Sequence, residues 1–124
     1  MTQEDKELLL KDLCARLPYG VKIQVPYEDG SGYFDEIVWE VNNEGPFHVN
    51  GWGIEYEYVK PYLFPLSSMT EEQKEEYQYI TERWMYDSSY SICDSTDYLN
   101  KNHFDYRGLI PMGLAIDATG LNTY

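Results

Sequence analysis

The stretch "VKPYLFPLSSMTEEQKEEYQYITERW" (Val59–Trp84) contains the signal for an extended segment followed by the signal for a helix. Its first part, "VKPYLFPL", carries Pro61 and Pro65 among bulky apolar residues, which is typical of an extended, proline-stiffened segment. Thr70 then stands three residues before Gln73, which is the spacing of a helix capping box. We therefore expect an extended arm that leaves a sheet, packs across it and enters a helix.

The helix that follows is acidic. Two of its glutamates, Glu71 and Glu72, fall in the first turn, where the helix dipole favours negative charge. Glu75, Glu76 and Glu82 fall largely on the polar face, and the predicted buried stripe is Tyr77, Ile80 and Trp84. These carboxylates are expected to cap and hydrate the helix, because paired catalytic carboxylates need a pocket that nothing nearby requires.

Short strands are predicted before this stretch. In "VKIQVPY" (Val21–Tyr27), apolar and polar residues alternate, and Pro26 is expected to end the strand or place it at an edge. A second strand is predicted over Tyr33–Val41, and Asn50-Gly51 predicts a hairpin turn that leads into the alternating stretch Ile54–Tyr58. Tight turns between short antiparallel strands favour a small bent sheet, and a closed SH3-like barrel would remove its exposed edges.

Helices and an apolar segment complete the predicted fold. Thr2 is expected to cap a helix near the start of the sequence, with an apolar stripe of Leu10, Leu13, Cys14 and Leu17. A third short helix is expected from about Ser95 to His103. The following segment is expected to bury five apolar side chains, namely Leu109, Ile110, Met112, Leu114 and Ile116. The prediction is a single α+β domain over residues 1–124, which is an ordinary domain length.

Composition limits the classes of partner. The formal net charge of −13 argues against direct binding to nucleic acid and to anionic membranes. It agrees with a solvated surface, with a basic protein partner, or with a surface that imitates nucleic acid. The 13 tyrosines suit a small core whose hydroxyl groups reach water, and they also suit a protein interface.

No set of residues forms a recognisable catalytic or metal-binding motif, and no cofactor is expected. His48 and His103 lie too far apart in sequence for a zinc motif, and the cysteines Cys14 and Cys93 lack a C-x-x-C partner. Cys93 with His103 as a nucleophile and its base is a weak hypothesis. His103 is expected at a helix end, where the dipole would favour its charge, and Asp105 with Arg107 is expected to make a turn contact or ion pair. The absence of a leader pattern, of a long apolar run and of paired cysteines gives a reducing cytoplasm as the default location.

Three stretches together resemble one protein family: "EDKELLLKDLCARLPYGVK", "VKPYLFPLSSMTEE" and "YLNKNHFDYRGLIPMGLAIDA". The family is one of short uncharacterised proteins encoded by gut Bacteroides and by their phages or mobile elements. The resemblance covers more than half of the chain, and Asp29–Trp52 and Gln78–Asp94 match it less clearly. It implies a cytoplasmic accessory protein from a mobile element, and it carries over no catalytic residues.

A non-enzymatic module that binds a protein partner is the function that these features favour. The candidate contact surface is aromatic and comprises Trp52, Tyr56, Tyr58, Tyr62 and Phe64. One alternative is an acidic inhibitor that imitates nucleic acid and blocks a DNA- or RNA-binding protein, with its carboxylates in a double row on one face. An enzyme with an unrecognised site is the other alternative, and it is the minority hypothesis.

Overall fold

The computed structural model describes residues 2–27, 29–42, 45–48, 59–83, 86 and 92–124, and it shows an α+β chain. The helices are α1 (Gln3–Arg16), α2 (Glu71–Arg83) and α3 (Ile92–Lys101), with short 3-10 turns at Leu17–Tyr19 and Leu66–Ser68. The strands are β1 (Lys22–Pro26), β2 (Tyr33–Asn42), β3 (Gly45–His48), β4 (Lys60–Pro65), β5 (Phe104–Asp105) and β6 (Ile116–Asp117). The predicted class, the first helix and the later helices are confirmed. No helix within these ranges has both the length and the apolar character that crossing a membrane requires.

The strands form one mixed sheet in which hydrogen-bonded neighbours follow the order β3-β2-β1-β4-β5, and β6 also pairs with β4. The pairs among β1, β2, β3 and β4 are antiparallel, whereas β5 and β6 are parallel to β4. The sheet is open over the described strands, so they do not confirm a closed SH3-like barrel. The expected hairpin turn Asn50-Gly51 and the strand Ile54–Tyr58 lie outside the described residues.

Strand β1 behaves as its sequence predicts. Val21, Ile23 and Val25 are buried, and the intervening Lys22 and Gln24 are partly exposed. The strand ends at Pro26, because proline has no N–H group to continue the ladder.

The stretch "KPYLFP" is not an arm across the sheet, as expected, but strand β4 within it. Proline is usually excluded from such a position because it cannot donate to the ladder. Here Pro61 stands opposite Ile23. Bonded and non-bonded pairs alternate in an antiparallel ladder, and Pro61 falls at a non-bonded pair, so its missing N–H costs the β1–β4 pairing nothing.

Helix α1 confirms its predicted apolar stripe in part, since Leu13 is buried and Leu10 and Leu17 pack half-buried against the core. The Thr2–Asp5 capping box is present, but the buried residues are Leu9, Asp12, Leu13 and Arg16. Cys14 is exposed, so its expected place in the core is wrong. The apolar periodicity missed this face because two of its four members are charged residues.

Helices α2 and α3 pack on each other through tyrosines. The rings of Tyr77 and Tyr98 lie 6.1 Å apart, and the Tyr98 hydroxyl donates to Glu76 Oε2 at 2.9 Å. Tyr77 and Ile80 are only half-buried, so α2 lies at the edge of the body, and the third member of its predicted stripe, Trp84, lies outside the described residues. Helix α3 begins at Ile92 rather than Ser95, so Cys93 is helical rather than between helices.

The core lies between α1 and the sheet and extends into the segment after α3. Its largest cluster combines Leu9 and Leu13 with Val21, Ile23 and Leu63. Leu109 and Leu114 are buried in it as predicted, and Ile110 and Ile116 are half-buried. Met112 is 50% exposed, so its predicted burial is wrong.

Candidate functional site

A groove of about 440 Å³ lies where the end of α3 meets the end of β4. Its aromatic wall consists of Phe64, His103, Phe104 and Tyr124. Its other lining residues are Ser68, Gln73, Lys101, Asn102, Thr119 and Gly120. Three chain segments therefore form the groove: the β4–α2 connection, the α3 end with β5, and residues 119–124.

His103 lies two residues after the last residue of α3, and two main-chain hydrogen bonds at the end of the helix fix its position. The Asn102 N–H donates to Tyr98 O and the His103 N–H to Asn100 O, both at 3.1 Å, while His103 takes a φ of 60°. This left-handed conformation is uncommon for residues with a Cβ, although histidine adopts it more often than most. It turns the chain out of the helix and into β5.

The imidazole of His103 is buried, and its Nδ1 has no hydrogen-bond partner. Burial, and to a smaller extent the positive charges of Arg16 and Lys22, lower the pKa of His103 to about 4. The ring is therefore neutral at neutral pH. The expectation that the helix dipole favours a charged histidine here is wrong, because desolvation outweighs the dipole.

Tyr124 lies flat against His103, with ring centroids 3.8 Å apart and an interplanar angle of 13°. Its hydroxyl accepts from the Lys22 N–H at 2.9 Å and donates to the Tyr62 carbonyl at 2.9 Å. The Lys22 Nζ donates to the Thr123 carbonyl. Tyr124 as a whole is 45% exposed, but desolvation of its hydroxyl is the main cause that raises its pKa to about 12, so the hydroxyl keeps its proton at neutral pH.

A buried ionic cluster of Asp12, Arg16 and Arg107 ties α1 to the segment after β5. Asp12 Oδ2 accepts from Arg16 Nε at 2.9 Å, and Asp12 Oδ1 accepts from Arg107 Nη1 at 2.8 Å. Arg16, which has no exposed surface, also donates from Nη2 to the Phe104 carbonyl at 2.5 Å. The Tyr106 ring lies 4.5 Å from the Arg107 guanidinium carbon. Both carboxylate oxygens are occupied, and none of the three charged residues lines the groove, so the cluster connects elements of the fold.

Asp105 makes a turn contact, but with main-chain N–H groups and not with Arg107, so the predicted Asp105–Arg107 contact is wrong. Its two carboxylate oxygens accept from the Leu109 and Ile110 N–H groups, each at 2.9 Å. The carboxylate thereby fixes the turn that buries Leu109. Arg107 pairs with Asp12 instead.

Only two of the predicted contact residues lie within the described ranges. Tyr62 is 6% exposed, and its hydroxyl donates to Asp35 Oδ1 at 2.6 Å and accepts from Gln24 Nε2 at 3.2 Å. Phe64 is half-buried and lines the groove. The other three, Trp52, Tyr56 and Tyr58, lie outside the described residues.

The hypothetical Cys93–His103 pair is not assembled. Cys93 is exposed in the first turn of α3, and His103 follows the end of the same helix. Ten residues of helix rise about 15 Å, which is far beyond hydrogen-bond reach. Over the residues that the structure describes, no three His, Cys, Asp or Glu side chains are grouped to hold a metal ion.

The outer face of α2 is a second surface with a distinct chemical character. All five glutamates of α2 are exposed, and Tyr79, which lies between them on the helix surface, is 50% exposed. Since an α-helix turns about 100° per residue, the positions of these six residues fall within an arc of about 140°. The carboxylates therefore form two adjacent rows with an aromatic ring between them.

Sequence reasoning missed Tyr124 and the Asp12–Arg16 pair. Asp12 and Arg16 stand four residues apart on a helix, a spacing that signals an ion pair, but such pairs usually face solvent. Tyr124 is one tyrosine among 13 and carries no local motif.

Comparison with known proteins gives no matching family model, no similar curated protein and no similar solved structure.

Proposed function

We propose that this chain is a non-enzymatic accessory module that binds a basic protein partner through the outer face of α2. The observation that carries this proposal is the arrangement of five exposed carboxylates around the half-exposed Tyr79. A surface of this kind is complementary to lysine and arginine. The Tyr79 ring adds aromatic contact area, and the guanidinium carbon of Arg83 already lies 4.6 Å from its centroid. The family resemblance supports the same role, as an accessory protein of a mobile element acting in the cytoplasm.

The chemistry of the buried ionisable groups supports a binding role over catalysis. Asp12 is saturated by two arginines, and Asp105 by two main-chain N–H groups. His103, with its pKa lowered to about 4, is a weak base at neutral pH. The aromatic contact surface predicted from Trp52, Tyr56, Tyr58 and Phe64, with closure of the sheet into an SH3-like barrel, remains part of this proposal as a second contact region. The fifth predicted contact residue, Tyr62, is buried and does not belong to it.

Electrostatic attraction of this kind has a defined salt dependence. The Debye length is about 8 Å at physiological ionic strength, so exposed charges act mainly at the contact and during the final approach. Complementary charges raise association rates by about tenfold to a thousandfold. We therefore expect partner binding to weaken with added salt mainly through a slower association rate.

The test compares two variants that change the net charge equally. Glu72→Lys with Glu75→Lys alters the outer face of α2, and Glu4→Lys with Glu7→Lys alters exposed positions of α1. Each tagged protein is used to capture partners from a lysate of the encoding organism, and the captured proteins are identified by mass spectrometry. A basic partner should be retained by the wild type and the α1 variant and lost by the α2 variant. Capture that is the same for all three proteins would contradict the proposal.

A second candidate function, imitation of nucleic acid, is favoured by the spacing of the same carboxylates. From Glu71 to Glu82 the helix rises about 16 Å, so the five carboxylates are on average about 4 Å apart along its axis. One strand of DNA carries a phosphate about every 3.4 Å along its axis. Lys74 and Arg83 reduce the negative charge of α2, and Lys74 already lies 3.3 Å from Glu71, so the imitation is incomplete.

Competition separates the two candidates. The captured partner is titrated with the chain in the presence of increasing duplex DNA of unrelated sequence. If the chain imitates nucleic acid, DNA should displace it stoichiometrically and the partner should itself bind DNA. A partner that binds the chain equally well with and without DNA would support ordinary protein docking and exclude the imitation.

A further inference from the structure

The described pairing of β1 with β4 ends at Ile23 and Pro61, and at the next position the Tyr124 hydroxyl bonds to both strands. The register pairs Gln24 with Lys60 and Ile23 with Pro61, so continuing the ladder places Lys22 opposite Tyr62. In an antiparallel ladder the Lys22 N–H would donate directly to the Tyr62 carbonyl at this pair. Instead, the Tyr124 hydroxyl lies between them and bonds to both.

The position filled by Tyr124 lies between β1 and β5, which bond to the same edge of β4 at successive positions along it. Alternate residues of a strand direct their main-chain groups to the same edge, so Lys60, Tyr62 and Phe64 bond on one side. Lys60 pairs with β1 and the Phe64 N–H donates to the His103 carbonyl, which leads into β5. Tyr62, between them, bonds to a side chain from the 119–124 segment. The edge therefore contains a slot with one main-chain donor and one main-chain acceptor.

The walls of this slot fit an aromatic ring. His103 stacks on the Tyr124 ring, the Phe64 ring centroid lies 6.0 Å away, and the Lys22 ammonium lies 5.6 Å from the ring centroid. A hydroxyl oxygen can accept from an N–H and donate to a carbonyl at a single atom, as Tyr124 does here. The neighbouring rings of His103 and Phe64 favour an aromatic side chain, and the Lys22 N–H and Tyr62 carbonyl favour a hydroxyl group. Tyrosine has both.

The segment that delivers Tyr124 is lightly attached. Gly120, Leu121 and Asn122 are exposed. The described main-chain bonds of this region are Leu121 N–H to Ala118 O, Thr119 N–H to Asp117 Oδ1 and Lys22 Nζ to Thr123 O. Thr119, Gly120 and Tyr124 also line the groove of about 440 Å³, so open space borders the slot. Exposed chain with few bonds is the part of a protein that opens most readily.

We propose that this slot is a tyrosine-binding site, held closed in cis by Tyr124, that takes a tyrosine side chain of an extended segment from a partner protein. The site is distinct from the outer face of α2, and neither proposal depends on the other. When a tyrosine of the partner replaces Tyr124, its hydroxyl bonds to the same two groups. The Lys22 N–H and the Tyr62 carbonyl therefore keep a hydrogen-bond partner. A phenylalanine would leave both unpaired, which disfavours it strongly.

The experiment uses the full chain with Tyr124→Ala and a fluorescently labelled peptide of residues 120–124, capped at both ends. A second peptide carries phenylalanine in place of its tyrosine. The tyrosine peptide should bind the variant at least about tenfold more tightly than the phenylalanine peptide, since one unsatisfied buried group accounts for a factor of about ten. Wild-type chain should bind the tyrosine peptide at least about tenfold more weakly than the variant does, because its own Tyr124 competes.

A second variant covers the case in which Tyr124→Ala does not fold. Tyr124→Phe keeps the ring against His103 and removes only the hydroxyl, so it should fold, bind the tyrosine peptide more tightly than wild type, and show faster hydrogen exchange at the Lys22 amide. Equal binding of the two peptides, or equal binding by wild type and variants, would overturn the proposal. A wild-type dimer that the tyrosine peptide dissociates would overturn the assignment to a partner protein, because a second copy would then supply the tyrosine. Peptide binding that survives Glu72→Lys with Glu75→Lys would show that this site is separate from α2.

Discussion

Asp12 is the residue on which the attachment between α1 and the later chain depends. It is fully buried, and both of its oxygens accept from arginines, one four residues away and the other 95 residues away. A buried ion pair is not in itself strong evidence of net stabilisation, because desolvation offsets the attraction. Removing one member is costly all the same, since it leaves a buried charge without compensation.

We expect Asp12→Asn to lower the free energy of unfolding by about 3–5 kcal/mol, because Arg16 would stay buried beside a neutral amide. Glu71→Gln removes the same charge from an exposed pair and should cost less than about 1 kcal/mol. Urea unfolding followed by circular dichroism measures both. Equal losses in the two variants would show that the cluster is no more important than a surface pair.

His103 should make stability depend on acid. Its folded-state pKa of about 4 lies below its usual value of 6.5, so between these values the unfolded chain binds the proton more readily. The stabilisation is complete above about pH 6.5 and is lost as the pH falls to about 4, an amount of about 3 kcal/mol. Carboxyl groups also titrate in this range. The contribution of His103 is therefore the difference between wild type and a variant that lacks only His103.

His103→Asn is the matched variant, because asparagine tolerates the left-handed backbone conformation at this position. The difference in unfolding free energy between wild type and this variant should shift by about 3 kcal/mol against wild type from about pH 7 to about pH 4. Urea unfolding at a series of pH values gives that difference directly. A constant difference would mean that the imidazole titrates normally in the folded chain.

Helices α1 and α2 begin with the same capping box and are stabilised differently. Thr2 bonds Asp5 in one, and Thr70 bonds Gln73 in the other. Helix α1 has Leu9 and Leu13 in the core, whereas α2 has no buried residue. The cap therefore supplies a larger share of the stability of α2 than of α1.

Thr70→Ala should cost about 1 kcal/mol, expressed as local opening of α2, so that its amides exchange about fivefold faster. Thr2→Ala removes the equivalent bonds from α1 and should lower the global free energy of unfolding instead. Native-state hydrogen exchange with mass spectrometry separates the two effects. Equal acceleration across both helices would show that α2 opens only with the whole chain.

The elements that sequence predicted best are those whose signal is local. The cap at Thr2, the capping box of Thr70 and Gln73 and the alternation of β1 follow from residues that touch near neighbours. The central position of β4 could not be predicted in the same way, because its pairing with β1, β5 and β6 depends on residues far along the chain. The slot filled by Tyr124 was missed for the same reason, since its partners Lys22 and Tyr62 are 102 and 62 residues away.

At the scale of the whole molecule, the excess of negative charge opposes compaction. The formal net charge is −13, and exposed glutamates of α2 contribute to it. Like charges on a compact body repel each other, and dissolved salt screens that repulsion. The same charge that favours a basic partner therefore lowers stability when no partner is bound.

Raising the salt concentration from about 0.02 M to about 0.5 M should increase the free energy of unfolding. Glu72→Gln with Glu75→Gln should reduce this gain, and Lys60→Gln with Lys101→Gln should enlarge it, because the two pairs change the net charge in opposite directions. Urea midpoints at several sodium chloride concentrations measure the gain. A gain that is the same in all three proteins would mean that salt acts through something other than surface repulsion.

The bond from Asp12 to Arg107 also sets a limit on folding during synthesis. Until residue 107 has left the ribosomal tunnel, the nascent chain has Asp12 and Arg16 without Arg107 or the Phe104 carbonyl, and β4 without its parallel neighbours. Translation proceeds at about 5–20 residues per second, so the amino-terminal helix must wait several seconds for its ionic partner. The contacts that tie α1 to the segment after β5 should therefore form late, after residue 107 has emerged from the ribosome.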